Sequence, residues 1–197
     1  MLQNPKGHIA MAIKIYIDQG HNPYNPNAGA EGNGLREQDL VYRIGILLAE
    51  RLHANGSFDV RLSRPTPETQ IGTSNSSSLR QRVADANEWG ADYFISLHTN
   101  AATQSAASGS EALVFTKPSV AATLGEDILY WLNRSTGLQN RGVIIRNRLY
   151  VLRKTQMPAV LVELGFITNY NDAMLMLNSP ELFADGVYNG IIDYLGL

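Results

Sequence analysis

Ala159-Val160-Leu161-Val162 is apolar at every position and runs straight into a carboxylate at Glu163. So short a run, half of it β-branched, reads as a strand, and a strand with no polar face must be buried on both sides. That demands a mostly parallel sheet covered by helices. The rest of the chain supplies the parts. Strands are expected at 13–17, 59–62, 93–97, 111–115 and 150–152. Apolar residues recur at helical spacing in Leu40, Val41, Ile44, Leu47, Leu48 and Leu52, with Asn55-Gly56 as the stop. Further helices are expected at 79–89 and 118–133, and a last one begins at Pro180 behind a capping Ser179. Residues 63–78, rich in Ser, Thr and Asn with two prolines, read as a long surface loop.

Strands alternating with helices, without repeats or an internal linker, indicate one α/β domain. A chain of 197 residues is long enough for one substantial core. A net charge of -2 carries no nucleic-acid footprint. No apolar run approaches the ~20 residues that span a bilayer. Residues 1–12 are irregular and resemble a cloning remnant or a disordered N-terminus, which leaves His8 uninformative and the domain at 13–197. A secreted protein that has lost its signal segment fits the same sequence.

There are no cysteines, so disulfides, thiolate metal sites and Cys nucleophiles are excluded, and any zinc must be held by imidazole and carboxylate. The histidines are His8, His21, His53 and His98. In open α/β sheets, sites form at the carboxyl ends of strands. His21, His98 and Glu163 sit at such ends. Singly, most of these residues have ordinary explanations. His21 reads as a loop histidine, His98 as a satisfied buried one, and Glu37 as a carboxylate favoured at a helix start. Only Glu163 is out of place unaided, because a carboxylate on an apolar strand is costly unless paired. Together, His21, Glu37 and His98 compose the His₂Glu set of catalytic zinc, and Glu163 is a non-ligand carboxylate able to act as general base. The residues alone leave the substrate open.

Four ordered stretches narrow it: Asp18-Gln19-Gly20-His21, Gly34-Leu35-Arg36-Glu37, Ser96-Leu97-His98-Thr99-Asn100-Ala101, and Pro158-Ala159-Val160-Leu161-Val162-Glu163-Leu164-Gly165-Phe166. They resemble the motifs of the amidase_3 family, the zinc N-acetylmuramoyl-L-alanine amidases of autolysins, sporulation enzymes and phage endolysins. The resemblance implies a zinc-amidase, phosphorylase/hydrolase-like fold with His21, Glu37 and His98 as ligands of one Zn²⁺. Glu163 would be the proton-transferring carboxylate. The substrate would be peptidoglycan, glycan strand plus stem peptide, cut between the lactyl group of N-acetylmuramic acid and L-alanine. The implied location is extracellular, at the cell wall, and a regulatory protein partner is left open. Two departures from the usual motifs, Asn22-Pro23 after His21 and Thr99 after His98, touch no ligand.

Arg82, Asn87, Glu111 and Arg141-Gly142-Val143 also match family positions, with surface or structural roles equally open. Arg141 or Arg153 could bind a stem-peptide carboxylate, and Asp18 could orient His21. Glu31 and Asp39 are alternative carboxylates near Glu37, and His53 reads as a solvated helix-end residue. Three other readings remain. They are a zinc hydrolase of another amide, a family member that binds peptidoglycan without cutting it, and a sugar- or phosphate-handling α/β protein. No glycine-rich phosphate loop follows any strand, which disfavours the last.

Overall fold

The computed structural model describes residues 12–197, so His8 and nearly all of the expected remnant at 1–12 lie outside the described residues. In chain order the elements are β1 (Ile13–Gln19), β2 (Glu31–Gly32), β3 (Leu35–Arg36), α1 (Glu37–Asn55), β4 (Phe58–Leu62), α2 (Asn75–Trp89), β5 (Tyr93–Asn100), β6 (Ser110–Val114), α3 (Val120–Thr136), β7 (Asn140–Ile145), α4 (Tyr150–Lys154), β8 (Ala159–Phe166), α5 (Tyr170–Asn178) and α6 (Pro180–Leu195). Six strands form one sheet in the order β4-β1-β5-β8-β6-β7, and β2 and β3 make a separate hairpin. Every pairing in the large sheet is parallel except β6 with β8. The expected α/β domain with a mostly parallel sheet flanked by helices is borne out.

Alternation along each strand sends side chains to opposite faces. One face carries Ile15, Ile17, Ile95, Leu97, Val160 and Val162 into a core with Ile44 and Leu48 of α1, Ile128 of α3, and Phe183 and Val187 of α6. The other carries Tyr16, Phe94 and Leu161 against Val83 and Ala86 of α2 and Val151 and Leu152 of α4. This second face has the thinner cover.

Local chemistry explains most boundaries. Gly56, with φ 77, closes α1 by returning its N–H to His53 O, the left-handed end that glycine permits. The helix expected at 79–89 starts earlier, at Asn75, because Ser74 and Ser77 form a reciprocal capping box inside the expected loop. Ser179 occupies the position before α6 but makes no side-chain cap; its N–H instead closes α5 onto Leu175 O. Residues 150–152, expected as a strand, form α4. Leu149 to Leu152, four residues between arginines, are too few to carry a period, and as a helix Val151 and Leu152 both reach the core.

Candidate active site

The site is a row of residues across the thinly covered face, at the carboxyl ends of the strands. Pairing of β5 with β8 sets His98 beside Glu163, and antiparallel pairing of β8 with β6 sets Glu163 beside Glu111. On the other side of His98, Gly20 continues the β1 ladder by donating its N–H to Leu97 O at 3.0 Å. A side chain at Gly20 has no room, since its Cβ would lie 2.5 Å from the His98 ring. Glu163 lies within β8 rather than at its end, because the strand continues to Phe166.

Two further donors arrive from outside the sheet. His21 follows β1, and Glu37 opens α1 behind the β2–β3 hairpin. Glu37 Oε1 lies 3.2 Å from His21 Nε2 and 3.0 Å from His98 Nδ1. The same oxygen accepts the Thr99 N–H at 2.9 Å, and Oε2 accepts the Ala30 N–H at 2.9 Å. Burial works to raise the pKa of Glu37, but hydrogen bonds and charge from the two histidines hold it well below the usual carboxylate range. His98 is pushed the other way. Burial lowers it, and the hydrogen bond to Glu37 together with the charges of Glu37, Glu163 and Asp18 more than offsets that.

The three donors fit a metal ion. One ligand atom from each lies within 4.8 Å of the others. Atoms bound tetrahedrally to zinc at ~2.0 Å stand about 3.3 Å apart, and both separations from Glu37 Oε1 are close to that edge. Imidazole and carboxylate are also the donors that remain to a chain without cysteine.

Glu163 stands in the row without joining the three. Its Oε2 is closed off from solvent and has no hydrogen-bond partner. Burial pushes its pKa up to about 7; His98 opposes this, while Glu37 and Glu111 add to it. Glu111 is buried and takes the Arg141 Nε–H at 2.6 Å, and Asn100 Nδ2 donates to its other oxygen at 3.4 Å. The Arg141 guanidinium also lies 5.1 Å over the Phe166 ring, so its charge is already committed within the protein.

Other sequence expectations fall elsewhere. Glu31 is exposed on β2, Asp39 pairs with Arg36 at 2.7 Å, and His53 is exposed in the last turn of α1. Arg153 is exposed on α4, and Asn87 ties α2 to Lys154 O at 3.1 Å, away from the three donors. Asp18 is fully buried but does not bond the His21 ring; its oxygens take Arg82 and Ser96 Oγ. Charge from Arg82 keeps Asp18 low against the opposing effect of burial. Asn22, a departure from the usual motif, anchors the loop after His21, and Gln38, which carries no signal in the sequence, accepts the Gly29 N–H on its Oε1 at 3.1 Å. A buried amide in the first turn of a helix has no periodicity to announce it.

Residues 15–193 match the family described as Amidase_3, N-acetylmuramoyl-L-alanine amidase. The chain belongs to that family. It is 35% identical over 183 residues to the N-acetylmuramoyl-L-alanine amidase CwlM of Bacillus licheniformis, covering 91% of this chain and 67% of that protein. It is 35% identical to the N-acetylmuramoyl-L-alanine amidase LytC of Bacillus subtilis, covering 98% of this chain but only 37% of that longer relative. The crystal structure of an N-acetylmuramoyl-L-alanine amidase from Clostridium difficile 630 superposes with a TM-score of 0.83 at 29% identity, over 94% of this chain and 97% of that one. An N-acetylmuramoyl-L-alanine amidase, a hydrolase of peptidoglycan, is thus what both the motifs and the amidase family indicate.

Proposed function

We propose that residues 13–197 are the catalytic domain of an N-acetylmuramoyl-L-alanine amidase that acts at the cell wall. In this reading His21, Glu37 and His98 hold one Zn²⁺ and Glu163 moves the proton. The bond cut joins the lactyl carbonyl of N-acetylmuramic acid to the L-alanine nitrogen of the stem peptide. The observation that carries the reading is the row itself: three convergent donors with an unpartnered carboxylate oxygen next in line.

Zinc in such a site supplies Lewis acidity, polarising a carbonyl and easing the loss of a proton from water. The side chains supply the rest. Glu37 stays ionised because two imidazoles face it, which suits it to a cation. Glu163, with its pKa raised to about 7 by burial, can take a proton from the attacking water and then give it to the departing amine. Asn100 and Arg141 hold Glu111 in place beside it, and Glu111 keeps that side of the row polar. Among the described residues no helix is long and apolar enough to cross a membrane.

Digestion of purified peptidoglycan tests the proposal. Mass analysis should find stem peptides with a free L-alanine amine; chelator should stop their release and Zn²⁺ restore it. Cleavage at another bond, or release indifferent to chelation, contradicts the proposal.

A further inference from the structure

β1 ends in backbone that something else must hold. His21 has φ 64, in the left-handed region where a residue carrying a Cβ is strained. Its ring takes no support from its second nitrogen, because Nδ1 is buried without a hydrogen-bond partner. Imidazoles that bind metals ordinarily donate that outer N–H to a carboxylate or carbonyl, which fixes the ring. Here the fixing comes through the main chain.

Arg82 of α2 is 2% exposed. Its Nη2 donates to His21 O at 2.5 Å and Asn22 Oδ1 at 3.2 Å. Its Nη1 donates to Gln19 O at 2.7 Å, Asp18 Oδ1 at 2.5 Å and Ser63 Oγ at 3.2 Å. One guanidinium therefore grips the carbonyls on both sides of Gly20. Asp18 balances its charge and is tied by Ser96 Oγ, at 2.7 Å, to the strand that bears His98. The main chain also walls the donors from the other side: a Cβ at Gly29 would lie 2.8 Å from Glu37 Oε2 and 2.9 Å from the His21 ring.

We propose that Arg82 is a positioning residue that holds His21 in its left-handed conformation, presetting the imidazole before a metal ion arrives. This rests on the reading of His21, Glu37 and His98 as zinc donors. A planar fork is needed, because a single ammonium cannot reach two carbonyls and a carboxylate at once.

Arg82→Lys keeps the charge opposite Asp18 and removes the fork. Zinc affinity is measured by competition with a chromophoric chelator, the visible spectrum of the cobalt-loaded protein is recorded, and the metal-free protein is unfolded in urea. The variant should bind zinc about 10–100-fold more weakly and show an altered cobalt spectrum while still unfolding cooperatively. A variant with a lower urea midpoint but wild-type zinc affinity and cobalt spectrum overturns the proposal, since Arg82 is then structural only. If the variant does not fold, the metal-free wild type decides. Backbone chemical shifts of His21 must already report a positive φ, and extended shifts that change only on adding zinc overturn the proposal. Failure of the wild type to take up zinc at all overturns the zinc reading instead.

Discussion

On one face of the sheet, Ile17, Leu97 and Val162 are sealed under α1, α3 and α6. On the other, their chain neighbours Asp18, His98 and Glu163 stand under α2 and the five-residue α4. The same strands supply both sets, and only the alternation of side chains along each strand separates them. One face holds the fold together by burying apolar area. The other spends part of that stability on charged groups, among them a carboxylate with no hydrogen bond to one oxygen. A substitution should therefore declare its face by what it costs.

The largest effect belongs to Glu37, which faces both histidines. Glu37→Gln should lose stoichiometric zinc and bring turnover to background, read by metal analysis beside the peptide-release assay. Next come truncations on the packed face. Leu48→Ala or Ile128→Ala, both sites fully buried, should cost about 2–5 kcal/mol in urea and leave turnover per folded molecule unchanged. Turnover lost without stability would break the division between the faces.

A smaller effect, of opposite sign, is expected at Glu163 in the metal-free protein. Its pKa rises from 4.5 in the open chain to about 7 when folded, so between those values the folded state binds more protons. Stability must then fall as pH rises through that window and level off above it. Glu163→Gln removes the fall, so the metal-free variant should exceed wild type by about 1–3 kcal/mol at pH 8 and by much less at pH 4.5. Parallel urea midpoints at the two pH values check this, and a variant weaker than wild type at pH 8 contradicts it. The smallest effect is at the rim, where the Arg141 side chain is 35% exposed. Arg141→Gln should stay within about 1 kcal/mol of wild type, because partly exposed ion pairs are screened.

The packed face was the legible one. Period 3.6 in α1, α3 and α6, and apolar runs in β5 and β8, follow from burial against many neighbours, and burial leaves a pattern in sequence. The edge strand β4 was legible, but β7, α4 and α5 were not. β7 is half-exposed and holds Gly142 at φ 88, so it lacks a strand's alternation. α5 begins on polar residues capped by the Asn169 side chain, and α4 is too short to display a period. The antiparallel entry of β6 depends on how a long connection returns, which no residue of β6 specifies. Within the site, His21, Glu37, His98 and Glu163 were visible as chemistry, although His98 and Glu163 lie inside β5 and β8 rather than at their ends. Arg82 matched a family position, but its role depends on five acceptors scattered from Asp18 to Ser63, and only the folded chain brings them together.

In the proposed mechanism Glu163 acts on a proton and holds neither the metal nor the fold. Zinc-loaded Glu163→Gln should keep wild-type zinc content and a folded sheet while releasing free L-alanine-terminated stem peptides about 10²–10⁴-fold more slowly. Release at the wild-type rate, or slow release accompanied by loss of the zinc, would contradict it.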